Sequence, residues 1–380
     1  MTEKKIYFEN LDALRWLCFL GVFFYHSFHA EHLDITKTFE WNFFKCFLFE
    51  NSNLGVNVFF VLSGFLITFL LIEEVKQNGK INIGRFWLRR VLRIWPVYYA
   101  CVFFGFVIFP IFKQIVLGKT GAESANPWAY LFFYGNLDMV YNGLPDSSAL
   151  GILWSIAIEE QFYVLQPLML YRLKIKHYWI PWTLIIIASA VFRFQQESMM
   201  PLEHHSLSCF NDLCVGSLAA WAWQSFPVFR LWIAKISRKE LLLVYALLLY
   251  YYFFRFHYFL ETYFMAAIER VLFSLLIVYV ILEQNFAERS FFKLGKIKIF
   301  TALGKITYGL YCYHIIALMI VHNFGRKLDL NLNVPFQFYI KPVIALLLTI
   351  LMAKISYEYF EKPFLKLKDK FGGAQQKSQL

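Results

Sequence analysis

Cysteine is scarce in this chain: six, at 18, 46, 101, 209, 214 and 312, fall in no metal-ligand spacing. They are also too scattered for the disulfide framework of a small secreted domain. A Gly-rich loop ending in Lys is missing, so no Walker-type phosphate cradle is encoded. Charge is thin as well, at 17% of residues, and acidic residues are the rarer sign, 26 against 37 Lys and Arg. What fills the chain instead is apolar. Hydrophobic residues make up 59% and aromatic residues 21%, more apolar surface than one soluble core can hide.

Apolar runs of about 17 to 22 residues recur along the whole length, each long enough to cross about 30 Å of hydrocarbon. They predict an all-α, polytopic transmembrane helical bundle. About ten spans are expected, near 13–30, 54–72, 94–112, 152–171, 178–194, 209–225, 240–257, 263–283, 304–322 and 341–359. Lys and Arg concentrate in alternate connections on the side of the N-terminus, which predicts both termini in the cytoplasm. The net charge of +11 is then topology, and no nucleic-acid partner is expected. Segment 127–145, "PWAYLFFYGNLDMVYNGLP", is broken by Gly, Asn, Asp and Pro, and reads as an external or re-entrant element. The early "KK" and the apolar stretch behind it lack a small-residue cleavage site, so the first span is expected to be retained. Residues 1–370 should form one membrane-embedded domain, with 371–380 as a disordered cytoplasmic tail, in a bacterial inner membrane.

Within the first span, "LDALRWLCFLGVFFYHSFHA", Arg15 and His26 are eleven residues apart. At 100° per residue they stand only about 20° apart around the helix and about 16 Å apart along it. Snorkelling to the inner interface accounts for Arg15, and an interhelical hydrogen bond accounts for His26. An ionisable residue at membrane depth is nonetheless a functional candidate, and imidazole suits proton transfer near neutral pH. Ser63 and Gly64 lie mid-span in "GVNVFFVLSGFLITFLL", where close helix packing is the plainer reading. In "GRFWLRRVLRIWPVYYA", Arg89, Arg90 and Arg93 gather at the inner start of the third span. They serve either as positive-inside charge or as an anion clamp for phosphates.

Glu159 and Glu160 in "GILWSIAIEEQFYVLQPLML" lie in the outer third of an inward-running span. Being adjacent, they point about 100° apart, so one at most is expected to face His26. The plain reading is a structural pair with Arg15, Arg193 or Arg270. The chemical reading is a carboxylate that orients an imidazole and raises its basicity. Asp212, the adjacent Glu269 and Arg270, and His314 in "LGKITYGLYCYHIIALMI" are fainter candidates. "SYEYFEKPFLKL" is read as structural, with Pro363 ending the last membrane helix. Aromatic residues such as Trp128, Tyr130, Trp154 and Tyr163 suit sugar stacking near the outer face, although interfacial aromatic belts explain most of them.

These stretches, with "NDLCVGSLAAW" and "YFEKPF", follow one another from residue 11 to 364 in an order that resembles the acyltransferase-3 family of integral-membrane O-acyltransferases. The resemblance implies transfer of an acyl group, commonly acetyl, from cytoplasmic acyl-CoA to a hydroxyl of an extracytoplasmic glycan or lipid-linked sugar. It places the family's functional Arg and His on Arg15 and His26, its Arg-x2-Arg on Arg90 and Arg93, and its acidic pair on Glu159 and Glu160. No tightly bound cofactor or metal is expected, and acyl-CoA is a co-substrate. The layout that follows has Arg89, Arg90 and Arg93 on the CoA phosphates and Ser63 along the donor path. His26 is then the general base, or alternatively a nucleophile forming an acyl-imidazole. Ala13 and Trp16 depart from the family pattern, as does the absence of an Arg just before Asp212, where Cys209, Phe210 and Asn211 stand. The chain stops after its tenth span without the extracytoplasmic hydrolase-like domain of some members, so the acceptor is expected to meet the membrane domain or a partner. A proton-coupled secondary transporter using His26, Glu159 and Glu160 is the alternative. Internal repeats and paired Gly/Pro-broken helices, which transporters favour, are missing.

Overall fold

A computed structural model describes residues 7–28, 33–118, 120–255, 262–330 and 332–371. Apolar segments without water partners must satisfy their backbone internally, and among the described residues the regular structure is all helical. Ten helices organise the bundle: α1 (Glu9–Ser27), α2 (Leu54–Asn78), α3 (Ile83–Phe103), α4 (Leu153–Leu170), α5 (Trp179–Phe194), α6 (Ser206–Ser225), α7 (Arg238–Phe254), α8 (Tyr263–Phe286), α9 (Thr307–Lys327) and α10 (Lys341–Ile355). Each occupies one of the predicted span segments.

Five helical stretches are long and apolar enough to cross a membrane: Leu54–Asn78, Ile83–Val116, Ile175–Phe194, Tyr263–Phe286 and Phe336–Leu367. Lys298–Lys305 and Thr307–Lys327, bent by 78°, make a sixth if taken as one span. The remaining helices over predicted spans are shorter or carry the charged side chains that lower their hydropathy, such as Arg15 on α1 and Glu159 and Glu160 on α4.

Small residues set the closest helix contact. A Cβ on Gly64 of α2 would stand 1.9 Å from the Leu213 carbonyl oxygen of α6, and one on Gly216 would stand 2.1 Å from that of Val61. The glycine of "SGF" is thus a packing residue, as small residues at membrane helix interfaces are, and it leaves the neighbouring Ser63 to face elsewhere. A Cβ on Gly304 would come within 2.0 Å of the Asp12 carbonyl, so the helix leading into α9 is pressed against the inner end of α1.

Segment 127–145 folds as two short helices, Pro127–Leu131 and Gly135–Asn142, joined at Phe133, whose φ is 57°. Gln161 of α4 donates to the Phe133 carbonyl at 2.7 Å, and Tyr98 and Tyr99 of α3 donate to the Tyr130 and Leu131 carbonyls at 2.7 and 2.9 Å. The turn is therefore bonded to both α3 and α4. Pro363 does not end the last helix. A π-turn at Ser356–Glu361 runs without a break into the helix Lys362–Phe371, so Pro363 lies inside the helical stretch Phe336–Leu367. Of the expected tail 371–380, residues 372–380 lie outside the described residues.

Candidate active site

The periodicity of α4 builds the centre of the site. Ser155, Glu159 and Tyr163 recur at i, i+4 and i+8 and so lie on one stripe of the helix. Each finds a polar partner across the bundle. At the top of the stripe, Ser155 Oγ stands 2.7 Å from Tyr311 Oη of α9, which itself donates to the Ile152 carbonyl at 3.0 Å. One turn on, Ser63 of α2 donates to Glu159 Oε1 at 2.6 Å, and Tyr163 donates to Oε2 at 3.1 Å. Another turn on, the Arg90 guanidinium lies 5.8 Å from the Tyr163 ring centroid and 5.7 Å from that of Phe86.

Arg90 is the one arginine of the inner group directed at this stripe. Among the described residues it makes no ion pair, and its Nε is buried without a hydrogen-bond partner. Arg89 is held by Glu74 of α2 at 3.2 Å, and Arg93 is exposed. Arg15 sits lower on α1, bonded at 2.7 Å to Asp12, which also accepts from Tyr7 at 2.7 Å. Its charge and that of Arg90 act on Glu159.

At the other end of the site, α1 and α9 bring two imidazoles together. His26 is half-buried and His314 fully buried. His26 Nδ1 stands 3.1 Å from His314 Nε2 and 3.0 Å from the Val22 carbonyl, one turn back on its own helix. His314 Nδ1 lies 2.5 Å from the Tyr311 carbonyl. Tyr311 thus joins the imidazole pair, through its backbone, to Ser155 and the α4 stripe, through its hydroxyl.

The carboxylate expected beside His26 is engaged elsewhere. Both Glu159 oxygens are taken by Ser63 and Tyr163, and Glu160 accepts from Trp95 Nε1 at 2.9 Å. The 100° between adjacent residues has separated them: Glu159 faces the polar stripe, and Glu160 braces α3. Nor do they pair with Arg193 or Arg270. Those arginines belong to a second buried cluster with Arg255, Glu203, Asp212 and Glu269. His314 was one of the fainter sequence candidates, because its partner is 288 residues away. The only available sign was its place in an apolar span.

Of the aromatic residues considered for sugar stacking, Trp128 is exposed, Tyr130 is buried, and Trp154 packs on His204 at 4.5 Å. Tyr163 lies in the stripe. A cavity of about 430 Å³ opens between α1, α2, α7 and α8, lined by Leu17, Gly21, Gly55, Leu248 and Phe273. It occupies a different face of α1 from His26 and offers no chemistry there. Among the described residues no three His, Cys, Asp or Glu side chains gather as a metal site.

Chemically, the arrangement places a pair of imidazoles, several hydroxyls, a buried carboxylate and an arginine that makes no ion pair among the described residues on and around one stripe of α4. A family model described as an acyltransferase domain, acyltransferase-3, matches residues 8–354. The chain is 28% identical over 382 residues to O-acetyltransferase OatA of Staphylococcus aureus strain NCTC 8325 / PS 47, and equally to OatA of strain COL. These alignments cover 95% of this chain and 57% of the relatives, so the chain spans little more than half their length. No solved structure matches it.

Proposed function

The chain belongs to the acyltransferase-3 family, and from that premise we propose that it is a membrane O-acetyltransferase drawing on cytoplasmic acyl-CoA. Its acceptor is a hydroxyl of an extracytoplasmic glycan or a lipid-linked sugar. The proposal includes ten membrane crossings with both termini in the cytoplasm, in a bacterial inner membrane. In this topology Arg90 lies toward the cytoplasmic side and His26 toward the outside. The observation that carries the reading is the polar stripe between them, from Arg90 through Tyr163, Glu159 and Ser63 to Ser155, Tyr311 and the imidazoles. Polar groups at membrane depth face the bundle interior and commonly mark a substrate or ion path.

Arg90, with the exposed Arg93 and with Arg89, binds the CoA phosphates, as guanidinium forks do. Arg15 adds positive charge along the donor path. Ser63 and Glu159 line the route of the pantetheine arm, and Glu160 holds Trp95 and the wall of that route. At the top, His26 takes the proton of the acceptor hydroxyl as its oxygen attacks the thioester carbonyl. The new O–C ester bond forms, the C–S bond breaks, and the proton passes to the departing CoA thiolate. In the two-step variant the His26 imidazole attacks first, and the acyl-imidazole is then opened by the sugar.

The test is the purified protein in liposomes, given acetyl-labelled CoA on the inner-face side and isolated cell-wall glycan on the other. The expected result is loss of thioester together with alkali-labile label on the glycan. Solute accumulation with no thioester consumed would instead mark a transporter. Arg90→Ala removes a charged partner of the donor phosphates, worth about 1.5–3 kcal/mol for a hydrogen bond to a charged group. Donor KM is therefore expected to rise by roughly 10- to 100-fold, with acceptor KM nearly unchanged. An unchanged donor KM would remove Arg90 from the clamp.

A further inference from the structure

Resting on the acyl-transfer reading above, we infer that His314 is the positioning residue of the catalytic base, doing for His26 what a carboxylate does in other histidine-dependent sites. Backbone carbonyls decide the protonation pattern, because they only accept. His314 Nδ1 faces the Tyr311 carbonyl, so that nitrogen carries the proton and donates. In a neutral ring this makes His314 Nε2 the acceptor. His26 Nδ1 faces that acceptor and the Val22 carbonyl as well, so it carries a proton too. Two independent acceptors thus demand the same tautomer of His26, with Nδ1 protonated. The basic lone pair is then on Nε2, which is the tautomer that a general base acting through Nε2 requires.

The consequence reaches into the reaction. When His26 takes the acceptor proton on Nε2, its Nδ1–H continues to donate to His314, whose neutral ring stabilises the imidazolium without itself losing or gaining a proton. His314 is held in turn by Tyr311, whose hydroxyl meets Ser155, so the base is oriented from α9 and α4 together. This relay of one imidazole to the next explains why Glu159 is spared for Ser63 and Tyr163.

Two variants and one spectrum test it. His314→Leu fills the space but accepts nothing, whereas His314→Gln retains an acceptor oxygen. Misorienting a catalytic group costs about 100-fold, so His314→Leu is expected to lower kcat by about that factor while donor KM stays within roughly two-fold. His314→Gln should recover most of the loss. Wild-type kcat in the leucine variant, equal loss in both variants, or a loss carried by KM would overturn the assignment. Should neither variant fold, nitrogen-15 NMR of histidine-labelled wild-type protein decides, with the His26 resonances identified by their absence in His26→Ala. A His26 ring protonated at Nδ1 and bare at Nε2 supports the inference, and the opposite tautomer defeats it. The spectrum reads the pairing whether or not acetyl transfer is detected, so failure of the activity and failure of the pairing are told apart.

Discussion

His26→Ala should lower acyl transfer by about 10²- to 10⁴-fold, the usual contribution of a general base, and leave a folded protein behind. Both halves of that expectation follow from position. His26 is the penultimate residue of α1 and only half-buried, while the packing of α1 is carried by fully buried side chains such as Phe19 and Phe23 on its inner turns. Truncation leaves His314 bonded through Nδ1 to Tyr311 and removes the donor to its Nε2, at about 1 kcal/mol per net hydrogen bond lost. The measurement is turnover of labelled acetyl-CoA in liposomes beside thermal unfolding of the same preparation. A variant that keeps near-wild-type turnover ends the assignment of His26 as base or nucleophile. Intact-protein mass spectrometry after donor is added without acceptor separates the two chemistries. An acetyl adduct that disappears in His26→Ala belongs to the covalent route, and no adduct in either protein belongs to direct transfer.

Helical arithmetic made much of this site legible before any coordinates. Residues eleven apart share a face, so Arg15 and His26 could be read as one stripe. Adjacent glutamates diverge by about 100°, so one of Glu159 and Glu160 had to leave the path, and the structure shows Glu160 turned to Trp95. What the spacing cannot carry is the partner across the bundle. Ser63 and Glu159 are 96 residues apart and His26 and His314 are 288 apart, and periodicity within a helix says nothing about which helix stands opposite. Spacing for the same reason could not show that Glu159 stands opposite Ser63 and bonds it and Tyr163. Pro363 does not end the helix, for a local reason: the π-turn at Ser356–Glu361 precedes it within one continuous stretch. The membrane class was plain from composition. The number of crossings was less so, because α1 and α4 carry charges that lower their hydropathy.

Charge balance is the rule that would have located the second buried cluster, and the second large effect is expected there. Glu269→Ala should destabilise the protein by about 3–5 kcal/mol, the cost of leaving a buried charge without its partner. Glu269 is fully buried on α8. One of its oxygens accepts from Arg193 Nη2 at 2.9 Å, and the other accepts from Arg255 Nε at 2.7 Å and from the Tyr251 hydroxyl. Glu203 takes Arg255 Nη2 at 2.5 Å, and Asp212 takes Arg270 at 3.2 Å with Ser274 and Asn57. Among the described residues, three guanidiniums thus meet three carboxylates, and the cluster ties α2, α5, α6, α7 and α8 together. Removing Glu269 takes the carboxylate from Arg193 in a low dielectric and leaves Arg255 to Glu203. Glu269→Gln keeps the shape and two polar atoms but not the charge, so its loss should be intermediate. Thermal unfolding in detergent micelles measures both. Because the cluster lies off the α1–α4–α9 face that holds His26, the folded fraction of either variant should keep the wild-type kcat. A variant of unchanged stability that had lost turnover would mean the opposite: the buried charges would be moving protons, and the transporter reading would gain the support it now lacks.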